Sequence, residues 1–409
     1  MIKFFKRLFR KLQIETPLSW SQLSHQKVRL IVATMGVCFA NILMFTQLGL
    51  QAMLTEGTTL LHESLGGDLV LFSAFSPTLQ FGMTFPKAYL VQAAAVDGVA
   101  SASPLYISSA NWVNPQELGG ESEEFSANST SDLFGNQVRI IAFNLNQPVL
   151  KLAEVNQQLT QLSAPNAVLF DRLSQPSLGA LSEQLSYQKE VMTLMGNRRV
   201  YAVGLFSMGS TLFEKGNVIM SDWNYSQREG KASLDRVTIG ILTIQPGADI
   251  SVVQSALQSR LPKEVAVLTN EEFIQQEKQF QNSEPNGVIL TFGTIVGFVV
   301  GVIIVYQVLY ADINDHLSEY ATLKAMGYSD RALLMVVLQE AIILAVLGFL
   351  PGFIASLGIY QLLTILTRIP LAMKTGVAIR VFVLTVVMCG VSGAIATSRL
   401  RSADPADVF

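Results

Sequence analysis

PNGVILTFGTIVGFVVGVIIVYQVLYA, residues 285–311, carries no charged side chain between Glu284 and Asp312. Coiled as one α-helix it would extend about 40 Å at 1.5 Å per residue, more than the ~30 Å hydrocarbon core of a bilayer. Three further runs share its character. Leu30 to Thr55 lies uncharged between Arg29 and Glu56, too long for a signal-peptide core and without a small-residue cleavage site. Ala332 to Thr367 is interrupted only by Glu340 and by Pro351-Gly352, and Val381 to Leu400 lies between Arg380 and Arg401, with Arg399 just inside its end. The chain therefore reads as an α-helical membrane protein with four transmembrane helices, one before and three after a large α+β periplasmic domain.

Composition agrees. Of 409 residues, 50% are hydrophobic and 14% charged, against about 25% charged in a soluble globular chain. Mean hydropathy is +0.39. A disordered chain, a nucleic-acid binder working through bulk positive charge and a disulfide-stapled secreted domain are excluded. The formal net charge of -3 conceals a split. Residues 55–286 hold 14 basic and 23 acidic side chains, whereas the rest of the chain holds 14 basic and 8 acidic. Lys3, Lys6, Arg7, Arg10, Lys11, Lys27 and Arg29 precede the first span, so positive-inside bias sets the N-terminus in the cytoplasm. Four spans return the C-terminus to the same side, although Arg368, Lys374 and Arg380 then lie outside. Residues 1–29 read as cytoplasmic amphipathic helices. Phe5, Phe9 and Leu12 share one face of the first, either as an interfacial anchor or as a plain topology signal.

Between spans one and two the pattern alternates. Helix-compatible sequence continues from span one as a stalk to about residue 65, with Gly66-Gly67 as its stop. Residues 66–270 form the external domain. DLVLFSAF (68–75) reads as a strand, Pro86–Ala95 as a helix and Val99–Tyr106 as a strand; Asp235–Ile244, a helix capped by Asp249, and Glu264–Thr269 repeat the sequence of elements. Two such units, about 66–106 and 235–270, predict a ferredoxin-like layer with an inserted subdomain at about 107–234. Asn270 is placed to cap a helix that leads, as a second stalk, into span two (271–311).

Catalytic chemistry has no signature. There is no phosphate-binding P-loop, no G-x-S-x-G and no H-E-x-x-H. Cys38 and Cys389 sit in apolar runs, His25, His62 and His316 are scattered, and Glu121, Glu123 and Glu124 lack Ca²⁺-loop spacing. No metal site and no bound cofactor are expected. Three features remain. Residues 312–331 connect spans two and three, and Glu319, Tyr320, Ala321, Thr322, Leu323, Lys324, Ala325, Met326 and Gly327 form a short amphipathic helix with Leu323 and Met326 on its apolar edge; a plain helical hairpin is the alternative. Gly293, Gly297 and Gly301 repeat at the spacing that allows close helix approach, either as a dimer seam or within one subunit. Glu340 lies about ten ångströms along span three, an intramembrane carboxylate that either acts or simply snorkels or bonds a neighbouring helix.

EYATLKAMGYS (319–329) resembles the coupling-helix motif of the FtsX/MacB superfamily of ABC-transporter permeases, and the ending Ala403-Asp404-Pro405-Ala406-Asp407-Val408-Phe409 resembles their closing DPA-type tail. Trp20-Ser21-Gln22-Leu23, Lys27-Val28-Arg29-Leu30, Gly36 and Phe39-Ala40 are similar to DevC-type permeases, the heterocyst-glycolipid exporter group. The resemblance implies a homodimer in a bacterial, cyanobacterial inner membrane. It also implies a separate ABC ATPase that binds ATP and Mg, a periplasmic adaptor and an outer-membrane channel of TolC type. The chain would be a transport subunit rather than an enzyme, contacting membrane lipids and no nucleic acid. It would transmit motion to the far side of the membrane and so drive export of a glycolipid or other amphiphile. An FtsX-like regulator of a cell-wall hydrolase and a Lol-type lipoprotein-releasing permease share the layout. A stand-alone sensor does so without an ATPase.

Overall fold

A computed structural model describes residues 27–119, 135–211, 213–317, 319, 322, 326, 329–367 and 373–401. The N-terminal amphipathic segment, Glu121, Glu123 and Glu124, and the closing tail lie outside them. The chain divides into a helical unit, Met1–Ala52 with Pro285–Phe409, and a sheet unit, Met53–Glu284.

Four helices among the described residues are long and apolar enough to cross a membrane, one N-terminal and three C-terminal. The first, α1, is Lys27–Ser64, and the division between units falls within it. In the sheet unit the elements follow as β1 (Leu69–Ser73), β2 (Phe85–Pro86), α2 (Lys87–Ala94), β3 (Val99–Asn111), β4 (Gln137–Phe143), α3 (Ala153–Asn156), β5 (Ala167–Asp171), α4 (Leu181–Tyr187), β6 (Val191–Met195), β7 (Arg198–Phe206), β8 (Gly216–Ser221), α5 (Asp222–Glu229), β9 (Arg236–Val237), β10 (Ile239–Ile244), α6 (Ile250–Arg260), β11 (Val265–Thr269) and α7 (Asn270–Ser283). The helical unit continues with α8 (Pro285–Asp315), α9 (Asp330–Thr367) and α10 (Thr375–Arg401). Pro351-Gly352 does not interrupt α9, which runs through it. The last span starts earlier than its apolar run, because Thr375–Arg380 already coils.

Nine strands form one sheet in the order β11-β1-β10-β3-β4-β8-β5-β7-β6. The first four are antiparallel and have the ferredoxin-like order. The described strands of the expected insertion, 107–234, continue the same sheet. The reason is the length of β3: Val99 to Leu105 pairs with β10, while Leu105 to Asn111 pairs with β4. The inserted strands thus add to an edge that a shorter β3 would have ended. Strand β1, Leu-Val-Leu-Phe-Ser, is buried at all five positions, as an unbroken apolar run in a two-sided sheet should be. Leu69 and Leu71 join the core beneath α2 and α6, with Leu90, Val253 and Leu257. Val70 and Phe72 join the opposite core, with Leu61 from α1 and Phe273 from α7.

Two local expectations change. Helix α7 is capped by Thr269, not Asn270: the Thr269 hydroxyl accepts from Glu272 N–H, and Glu272 accepts from Thr269 N–H in a reciprocal capping box. Asn270 instead donates through Nδ2 to the Gly67 carbonyl at 2.7 Å. Nor do Gly66 and Gly67 end α1 in a left-handed turn, since neither has a positive φ. They let strands approach: a Cβ on Gly67 would sit 2.7 Å from the Leu242 carbonyl oxygen. Asp249 caps α6, its carboxylate accepting from Ser251 N–H.

Candidate functional site

In the helical unit the polar side chains of the spans are mostly satisfied within their own helices. Thr46, Ser356, Thr385, Ser392 and Thr397 each donate to a carbonyl four residues earlier. Among the described residues, four bonds tie different helices together, one of them from Gln51 Nε2 of α1 to the Thr291 hydroxyl of α8. Thr385 reaches Asn41 Oδ1, Ser392 reaches the Val302 carbonyl, and Tyr360 donates to the Phe45 carbonyl. The last requires Gly49, since a Cβ there would lie 1.7 Å from the Tyr360 hydroxyl.

The glycine repeat packs inside the subunit. A Cβ on Gly293 would meet Gln47 at 2.6 Å, one on Gly297 would meet Leu43 at 3.3 Å, and one on Gly301 would meet Met388 at 2.1 Å and Ala40 at 2.9 Å. Rising positions on α8 meet falling positions on α1, an antiparallel close contact. Gly36 of α1 extends it, its missing Cβ replaced by Ile304 at 2.3 Å. The glycine face read as a dimer seam or an internal contact is thus lined by the chain's own first span and, at Gly301, by Met388 of α10.

At the α8–α9 end, Glu319 and Thr322 are helical and exposed. Met326 sits in a turn, 64% exposed, its N–H donating to the Thr322 carbonyl at 3.0 Å. Tyr320, Ala321, Leu323, Lys324, Ala325 and Gly327 lie outside the described residues. Glu340 of α9 lies inside the helical unit. It is completely buried, and neither carboxylate oxygen has a hydrogen-bond partner among the described residues. Asp312 of α8 is 3% exposed.

The sheet unit holds a charge cluster that sequence reading missed. Arg139 points from β4 into the interior and donates through Nη2 to Glu214 Oε2 at 2.7 Å. The Thr211 hydroxyl donates to the same oxygen at 2.6 Å. Asp171, fully buried at the end of β5, accepts from Asn217 Nδ2, Gly209 N–H, Met208 N–H and Leu173 N–H. Glu277 of α7 accepts from Leu79 N–H and Gln281 Nε2, and lies 3.6 Å from His62 Nε2 of α1. Burial pushes the Glu277 carboxyl above its ordinary value, opposed by those hydrogen bonds and by the Arg139 charge. The available signal was a charge inside an apolar run, QVRIIAF and AVLFD. Every buried carboxylate here already has donors, so the arrangement is suited to holding elements together.

Residues 291–405 match the FtsX-like permease C-terminal family. The matched stretch covers α8, the 316–329 connection, α9 and α10, so the chain carries an FtsX-like permease domain. No curated protein matches. Among solved structures, the periplasmic region of MacB from Actinobacillus actinomycetemcomitans aligns with 54% of this chain and 95% of its own, at 11% identity and a TM-score of 0.34. The extracellular domain of the noncanonical ABC-type transporter YknZ from Gram-positive bacteria aligns with 50% of this chain and 100% of its own, at 11% identity and a TM-score of 0.31.

Proposed function

We propose that this chain is the membrane-spanning permease subunit of a mechanotransmission-type ABC exporter. The observation that carries the reading is the FtsX-like permease match over three apolar helices and the 319–327 connection. ATP and Mg would bind a separate ATPase, whose closure moves the Glu319–Gly327 segment. Spans one and two would pass that motion to the sheet unit, placed in the periplasm and facing an adaptor and a TolC-type outer-membrane channel. The chain would act as a homodimer in a bacterial inner membrane with both termini cytoplasmic, the two copies meeting away from the glycine repeat. Resemblance to DevC-type permeases adds the cargo class, a glycolipid or similar amphiphile, and a cyanobacterial setting.

Exposed Met326, Thr322 and Glu319 support a docking role for this connection. Leu323→Asp tests it. A charge placed in an apolar cleft without a partner costs several kcal/mol, so the variant should insert normally yet lose the co-purifying ATPase. Recovery of ATPase at the unsubstituted level would remove the coupling assignment. Cysteine labelling from outside should modify a residue placed at 129 and spare one at 318, in a background lacking Cys38 and Cys389.

A further inference from the structure

The connection between β1 and β2, AFSPTLQFGMT (74–84), carries no charged side chain. It exposes three large apolar ones: Phe75 is 67% exposed, Phe81 61% and Met83 57%. Its own hydrogen bonds hold them outward. Leu79 is buried at the centre of the loop, its N–H donating to Glu277 of α7 and its carbonyl accepting from Gly82 N–H. The Ser76 hydroxyl accepts from Met83 N–H, and Thr78 Oγ1 accepts from Phe81 N–H. Gln276 of α7 donates to the Ser76 carbonyl. The loop is thus bonded to the C-terminal half of α7, the half that leads into the apolar run opening at Pro285. Clustered apolar side chains fixed in an exposed position mark a contact surface.

Phe75 and Met83 line a groove of about 600 Å³ together with Phe85, Pro86, Arg236 and Glu264. Its two charges are opposite in sign and are not spent on each other. Arg236 donates through Nε to Thr84 Oγ1 at 2.8 Å and through Nη2 to the Thr84 carbonyl. Glu264 accepts from the Tyr89 hydroxyl at 3.2 Å. Neutral groups therefore hold both in place. Thr84 takes two of the five guanidinium N–H groups and leaves the others for an anion. We infer that this groove binds a zwitterionic phospholipid of the phosphatidylethanolamine type. Its phosphate would meet Arg236, whose planar fork suits phosphate oxygens, and its ammonium would meet Glu264. The acyl chains would cover Phe75 and Met83, removing their apolar surface from water. A head of one sign only would bring a like charge beside Arg236 or Glu264, which is why a lipid bearing both signs fits best. The site does not depend on the permease reading, since it rests on the sheet unit alone and binding is read without transport.

Photolabelling tests it on the full chain in phosphatidylglycerol vesicles carrying a trace of phosphatidylethanolamine with a diazirine in its acyl chain. Peptide mass mapping should find adducts within residues 73–86 as well as on the spans. Replacing part of the phosphatidylglycerol by unlabelled phosphatidylethanolamine should suppress the 73–86 adducts and spare those on the spans. A phosphatidylglycerol probe with the same diazirine should label 73–86 about tenfold less, the worth of one charge-assisted contact. Phe75→Ser changes an exposed side chain and should lower the 73–86 yield about tenfold, the worth of one covered aromatic ring. Glu264→Gln keeps an acceptor for Tyr89 and should erase the preference for phosphatidylethanolamine. Adducts confined to the spans overturn the proposal. Equal labelling of the unsubstituted chain by both probes overturns it too, because the loop would then be a general membrane contact. So does cross-linking between copies through 75–83 that displaces the probe, which would make the occupant a second chain. If a variant fails to insert, the two probes on the unsubstituted chain still decide.

Discussion

Arg139 in the sheet unit and Glu340 in the helical unit are both charged side chains buried among apolar ones, and their surroundings differ. Arg139 meets Glu214, and that carboxylate also takes the Thr211 hydroxyl. Glu340 has no hydrogen-bond partner among the described residues. The sheet unit's strands and loops converge from distant parts of the chain, so a buried charge there can find its opposite. Long apolar helices bring few polar groups to any one level. Their hydroxyls turn back to their own carbonyls. In the sheet unit, buried charge serves cohesion.

The largest expected effect breaks the sheet side of that contrast. Arg139→Met strands Glu214 in the interior, and loss of one partner of a buried pair costs about 3–5 kcal/mol. Proteolysis and thermal melting of the sheet unit within the full chain should register it; an unchanged melt would mean that Thr211 alone suffices for Glu214. Next comes Gly301→Leu, which forces a side chain into Met388 and Ala40 and should cost roughly 1–3 kcal/mol or more in detergent unfolding. Gly390→Ala is its counterpart: nothing lies within 4 Å of the added Cβ, so about 0.5–1 kcal/mol of stabilisation is expected. Equal losses at both positions would deny that α1 fills the glycine face.

Smaller effects sharpen the account of how α7 is held. Thr269→Ala removes the capping box and should cost about 1 kcal/mol. The Thr269 N–H holds the Glu272 carboxyl below its ordinary value, so this contribution is present above the unfolded carboxylate range and is lost as pH falls through the folded value. The variant's deficit in chemical unfolding should therefore shrink on acidification. Glu277 has the opposite sign. Burial raises its folded value, so its contribution is complete below the unfolded value and is lost as pH rises through the folded one. Glu277→Gln should flatten that slope; a slope that persists would assign the titration to another group.

Much of this architecture was legible locally. An uncharged run such as 285–311 is long enough to be a span whatever it packs against, and β1 announces a strand buried on both faces by having no polar position to turn outward. The ferredoxin-like order could be inferred from two strand–helix–strand patterns, because each pattern occupies a short stretch of chain. The candidate site was legible in a different sense. Gly293, Gly297 and Gly301 stated that some helix comes close, and Glu340 stated that an interior carboxyl needs an explanation. Neither stated which partner was involved.

Those partners depend on contacts between residues far apart in the chain, which no local period encodes. Gly301 meets Ala40 and Met388, and Arg139 meets Glu214. The continuation of the sheet through 107–234 is of the same kind. It follows from β3 offering one edge to β10 and the other to β4 along its length, and hydrogen bonding across a sheet edge is indifferent to whether the incoming strand belongs to an insertion. Sequence alone determined which segments coil, extend and enter an apolar phase, since those follow from side-chain size, charge and spacing. Tertiary structure decided which buried polar groups meet one another, since that depends on what the fold carries into reach.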